Sequence, residues 1–194
     1  MRRSEIEKQN QYLLLQQREF RMAADIVTDA FMAFPDVRAV AVIGSVARKL
    51  WKEIPRFSEF RRARIEVWHE CADLDLAVWI DSQGRLDEMR RALAQSLTAA
   101  FKAGTAVSVP SNRVDVFLFE PGSDRYLGRL CRYSTCPKGK PDCRVPGCGT
   151  IPFNKVVEGF QPNADIVASV ADTMLYERGR GRLRSALDLP SVEA

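Results

Sequence analysis

Two apolar runs that carry aspartate at or near their start constrain this chain more than any other feature: Asp73-Leu74-Asp75-Leu76-Ala77-Val78-Trp79-Ile80 and Val114-Asp115-Val116-Phe117-Leu118-Phe119. Alternate side chains of a strand share a face, so Asp73 and Asp75 point one way, while Leu74, Leu76, Val78 and Ile80 point into a core. Two carboxylates side by side repel each other unless a cation lies between them. Hard oxygen ligands on a rigid element suit magnesium, usually beside substrate phosphates. Laid beside the first strand, the second brings Asp115 to the same spot, and three acids on neighbouring strands form a candidate two-metal site. A single strand aspartate, taken alone, is more often a solvated residue.

Upstream, Val40-Ala41-Val42-Ile43 is an apolar run ending in Gly44-Ser45, and Val46-Ala47-Arg48 continues it. A glycine there lets backbone approach a phosphate closely, and exposed amides with a serine hydroxyl can hold its oxygens. Apolar strand, Gly-Ser turn, Asp-x-Asp strand and a later strand aspartate, in that order, resemble the nucleotidyltransferase superfamily of the polymerase-beta type. The resemblance implies an α/β (α+β) fold, a mixed twisted sheet flanked by helices. It also implies magnesium-dependent transfer of a nucleoside monophosphate from a nucleoside triphosphate, ATP by preference, to an acceptor hydroxyl on a small molecule or a protein. By the same resemblance Asp73, Asp75 and Asp115 are the catalytic and magnesium residues, and Gly44, Ser45 and Arg48 lie at the nucleotide. The rival expectation is a non-catalytic protein of the same fold, which binds RNA or a protein partner through a cysteine-rich loop and a basic surface.

The chain departs from the family pattern in two places. Lys49 stands where many relatives have glycine, and the connection from Val46 to Ala72 is far longer than usual. Its residues 51–70 are expected to form a helical insert, because Phe57, Phe60, Arg64, Val67 and Trp68 have roughly helical spacing. Arg61, Arg62 and Arg64 are either a solvated basic face or a holder for anionic substrate.

Around this centre, 194 residues suffice for one full core and a small appendage. A 46% hydrophobic, 28% charged composition excludes wholesale disorder, and a net charge of +4 permits an anionic ligand without demanding one. No apolar run is long enough to span a bilayer and the first residues carry no signal core, so no membrane role and a cytoplasmic location are expected. Ser4-Glu5-Ile6-Glu7 reads as a capping box. Ile6, Leu13, Phe20, Val27 and Phe34 then recur every seven residues up to Pro35. A coiled-coil dimer is the alternative, but Asn10 and Gln17 at the companion positions favour packing on the sheet. Leu86, Met89, Leu93, Leu97 and Phe101 mark a second core helix, capped by Gly104.

Cys131, Cys136, Cys143 and Cys148 form two close pairs in a loop-rich, apolar-poor stretch. That arrangement suits structural zinc, with His69 and Cys71 as substitute ligands, or else reduced thiols or a redox-labile pair. Together with Pro137-Lys138-Gly139-Lys140, it resembles an appendage of small bacterial nucleotidyltransferase-domain proteins. Lys138, Lys140, Arg144, Arg129 and Arg132 make the stretch basic, so an RNA contact stands beside simple solvation. The expected organisation is a core over 1–130 carrying the insert, a cysteine-rich loop over 131–149, and a segment over 150–194 that completes the core. Within that last segment, a short helix is expected over Asn163–Val170, an edge strand over 173–177, and a basic, glycine-broken tail with frayed final residues.

Overall fold

The computed structural model describes residues 3–130 and 170–192. Helix α1 runs over Arg3–Met32. Its apolar stripe buries Leu13, Phe20, Val27 and Phe31, and Phe34 follows into the core beyond the helix end. Ser4 lies within the helix rather than capping it, and Glu7 pairs instead with Arg3 one turn back. The second long helix, α4 (Leu86–Lys102), buries Leu86, Met89, Leu93 and Leu97. Phe101, counted with that stripe from spacing, is exposed, since it lies in the last turn, past the edge of the core. Gly104 adopts φ +74 and closes the helix end through its amide to the Phe101 carbonyl.

Between and after these helices lie β1 (Val37–Ile43), α2 (Gly44–Ala47), β2 (Lys52–Glu53), α3 (Ser58–Ala63), β3 (Val67–Trp68), β4 (Leu74–Ile80), β5 (Val114–Phe119) and β6 (Tyr126–Leu130). A helical turn (Val170–Thr173), β7 (Met174–Glu177), β8 (Gly181–Arg182) and two single-turn 3-10 helices (Ser111–Arg113 and Ala186–Asp188) complete the described elements. The main sheet has six strands in the order β6-β5-β4-β1-β7-β8. Only β4 and β5 run parallel; every other neighbouring pair is antiparallel. The protein is thus a mixed α+β structure, a six-stranded mixed sheet flanked by helices.

Alternation along the strands sorts the two faces. Val40, Val42, Leu74, Leu76, Val78, Ile80, Val116 and Leu118 join the side chains of α1 and α4 in the principal core. Ala39, Ala41, Ile43, Ala77, Trp79, Phe117, Phe119 and Tyr126 form a second cluster on the other face, which Met174 and Val170 touch. Asp75 and Asp115 belong to that second face.

Three expectations need correction. Residues 51–70 do not form one helix: β2 and β3 pair as a two-stranded ribbon, and only Ser58–Ala63 is helical. Pro55 has no amide to donate to a helical turn, and Arg64, at φ 50, ends α3 in a left-handed cap. The C-terminal tail is not frayed as far as it is described. Arg178 donates to the Val37 and Phe34 carbonyls, Arg182 pairs with Asp25 and Asp29, and Leu50 donates to the Ser191 carbonyl. The strand expected at the edge, β7, instead lies between β1 and β8.

Candidate functional site

Backbone register assembles the site. The antiparallel pairing of β1 with β4 sets Ile43 opposite Asp75, so the chain leaves β1 at Gly44 beside that carboxylate. The parallel pairing of β4 with β5 sets Asp115 next to Asp75. Asp73 lies two residues earlier, in the bend that leads into β4. Gly44 has φ +73, a conformation that favours glycine, and a Cβ there would overlap Asp75 Oδ2 and lie 3.3 Å from its Cγ. Glycine at this position is therefore required twice, by the turn and by the acid.

The carboxylates do not converge on one another. Arg129 of β6, whose guanidinium lies 5.7 Å from the Phe117 ring centre, is ion-paired to Asp115. Arg113 donates to the Ala72 carbonyl at 2.8 Å and stands 3.8 Å from Asp73. Among the described residues, no group of three or more His, Cys, Asp or Glu side chains could hold a metal ion as they stand. Donor type and strand placement nevertheless fit magnesium, since the aspartates are hard oxygen ligands on one end of one sheet. Side-chain rotation away from the two arginines is what binding would require.

The turn after Gly44 is held from behind. The Ser45 hydroxyl is hydrogen-bonded to the Cys71 thiol, and Cys71 is fully buried in the principal core. Burial pushes that thiol's pKa up, the largest effect on it, and Ser45 and nearby Arg21 pull the other way. His69 is elsewhere: its ring stacks on Trp51 at 3.7 Å and its Nδ1 lies 2.9 Å from Glu53 Oε2. Arg48 offers its carbonyl to Gln17, while its side chain is exposed. Cys131, Cys136, Cys143 and Cys148 lie outside the described residues, and so do the zinc site proposed for them, the basic residues from Arg132 to Arg144 and the expected helix up to Ala168 and Ser169.

The residue that sequence reasoning missed is Arg21. It is buried on α1 and donates to the carbonyls of Val46, Leu189 and Pro190, with a longer contact of 3.3 Å to that of Arg48. Its guanidinium thereby ties the Gly44 turn and the C-terminal segment to one helix. Burial draws its pKa below the usual arginine value. A signal did exist, since an arginine directly after Phe20 and two residues before Ala23 borders the buried stripe.

These features define a class: a mixed α+β protein with an acidic sheet end against a glycine turn. Beyond that class, no protein-family model matches the chain, and neither the curated proteins nor the solved structures give a match. Among the described residues no helix is long and apolar enough to cross a membrane.

Proposed function

We propose that the protein is a nucleotidyltransferase that moves a nucleoside monophosphate from a nucleoside triphosphate, ATP by preference, to an acceptor hydroxyl of a small molecule or a protein. One observation carries this reading: Asp75 and Asp115 are register partners on adjacent strands, and the Gly44 backbone lies against Asp75 with no room for a side chain. Asp73, Asp75 and Asp115 would hold magnesium, which when bound neutralises triphosphate charge and acidifies a nearby hydroxyl. Gly44 lets the triphosphate approach the backbone of its turn, and Ser45 and Arg48 flank it. Asp115 accepts the proton of the acceptor hydroxyl. The new acceptor O–P bond forms in line with the bond to pyrophosphate, which breaks as pyrophosphate leaves with that bond's electrons. Arg129 must release Asp115 for this step.

Catalysis of this kind is positioning and charge neutralisation, so losing one metal carboxylate removes several powers of ten in rate. Purified protein incubated with labelled nucleoside triphosphates, magnesium and cell lysate should label an acceptor. Asp73→Asn and Asp75→Asn should abolish that labelling with the unfolding midpoint retained; full labelling by both variants refutes the proposal.

A second reading is favoured by the ion pairs Arg129–Asp115 and Arg113–Asp73. They neutralise two of the acids without metal, as suits a binding protein that keeps the fold and lacks the transfer. Calorimetry with a nucleoside triphosphate separates the two readings, because only the enzyme needs magnesium for tight binding.

A further inference from the structure

The insert leaves the sheet from the Gly44 turn and returns to it just before Asp73, so both of its roots adjoin the acidic end. It carries most of the molecule's charge imbalance. Residues 48–72, between the Gly44 turn and Asp73, contain seven basic and four acidic side chains, a net +3 against +4 for the whole chain. Among the described residues, Arg56, Arg61 and Arg62 have no ion-pair partner, and all three are exposed. Several arginines elsewhere, Arg38, Arg85, Arg125 and Arg182 among them, each meet a carboxylate.

Aromatic surface lies among these charges. Phe57 is 62% exposed and tilts toward Phe60, with ring centres 6.4 Å apart. Trp51 is 41% exposed even though His69 stacks on it. A ring left in water at this cost, between unpaired guanidinium groups, suits a ligand that offers flat faces and negative charge together. Single-stranded nucleic acid has both, since its bases stack on exposed rings and its phosphates meet arginine. A lipid surface would call for a longer amphipathic helix than α3, which has six residues and no buried face.

We propose that the insert over residues 51–64 is a docking surface for single-stranded nucleic acid, with Phe57 and Trp51 as stacking platforms and Arg56, Arg61 and Arg62 as phosphate contacts. This holds whether or not the acidic end transfers nucleotides.

The test is fluorescence anisotropy of a labelled oligouridylate titrated with the full chain, in buffer without magnesium or nucleotide, so that its failure is separate from a failure of transfer. Phe57→Ala should weaken binding roughly five- to a hundredfold, as expected for one lost stack. The combined change Arg56→Ala, Arg61→Ala, Arg62→Ala should lower the salt slope by about 2, at roughly 0.7 per single-strand phosphate contact. Tyr12→Ala, an equally exposed ring on α1, should leave binding unchanged, and all variants should melt with the wild type. Equal binding by wild type and the insert variants overturns the proposal. So does preference for a duplex of the same length, or binding to phosphatidylserine vesicles with none to the oligonucleotide.

Discussion

Gly44 and Gly104 offer a controlled comparison, because they share a backbone conformation and differ in surroundings. Their φ values are +73 and +74; a Cβ on Gly44 meets the Asp75 carboxylate, and a Cβ on Gly104 meets nothing within 4 Å. Alanine in the left-handed region costs about 1–2 kcal/mol, and stiffening the unfolded chain returns about 0.4–1 kcal/mol. Gly104→Ala should thus destabilise by about 1 kcal/mol, the backbone cost alone. Gly44→Ala adds an overlap that forces a rigid strand and its carboxylate apart, worth about 1–3 kcal/mol more. For 194 residues each kcal/mol moves Tm by about 2–4 °C, so the expected drops are about 2–4 °C for Gly104→Ala and about 4–16 °C for Gly44→Ala. Thermal unfolding followed by circular dichroism reads the difference. Calorimetry with magnesium and a nucleoside triphosphate then reads the site: Gly44→Ala should lose binding, and Gly104→Ala should keep it. If both variants melt alike and bind alike, the close fit of Gly44 to Asp75 has no bearing on stability or function.

Three further outcomes follow from the same geometry. Arg21→Ala leaves buried carbonyls at Val46 and Leu189 without a donor and should cost about 2–6 kcal/mol by urea unfolding, at roughly 1–3 kcal/mol for each; Arg21→Lys should not rescue it, because one ammonium cannot span carbonyls from two segments. Two-point binding by Arg125, with a hydrogen bond from Ser123, holds the Glu120 carboxyl at about 2 against its usual 4.5. The stability from that pair is therefore present above the usual carboxylate value and lost as pH falls through about 2; Arg125→Ala should return the Glu120 titration to the ordinary range by NMR, and an unmoved titration would discard the pair. Cys71, buried and with its thiol pKa raised, should resist iodoacetamide in the native protein and react on unfolding; peptide mass spectrometry showing native labelling would contradict its place in the core.

How much of this was legible in the sequence depends on the range of the interaction. Alternation predicts β4 and β5 with the correct inward faces, and seven-residue recurrence predicts α1, because both are local and periodic. The meeting of Asp75 with Asp115 was legible too, given only that the two strands are neighbours. Arg129 and Arg113 were not assigned to the acids, since their partners depend on the register of β6 and on the turn before β5. Arg129 in particular reads in sequence as part of a basic loop, whereas its strand position opposite Phe117 aims it at Asp115. The insert misled for a different reason: helical spacing of Phe57, Phe60 and Arg64 is real over α3 but too short to outweigh Pro55 and the pairing of Lys52 with Trp68. The tail resembles a frayed end because its tethers, Arg178 and Arg182, find partners more than a hundred residues away.

The turn from Gly44 to Arg48 is fixed from three sides: Gly44 against Asp75, Ser45 on Cys71, and the carbonyls of Val46 and Arg48 on Arg21 and Gln17. A connection that only reversed the chain would need none of this. Burying a guanidinium costs several kcal/mol before its hydrogen bonds return any of it. That cost attends a five-residue turn whose first residue lies against the Asp75 carboxylate. Rigidity concentrated beside one carboxylate fits a site in which small displacements would matter, because a phosphate held by backbone must meet its cation at a fixed distance. Loosening the turn from behind, without touching an acid, therefore tests the site as directly as removing one. Gln17→Ala, which leaves the Arg48 carbonyl only its longer 3.3 Å contact from Arg21, should weaken nucleotide binding while destabilising the fold less than Arg21→Ala, and unaltered binding would mean that the turn's rigidity serves the fold alone.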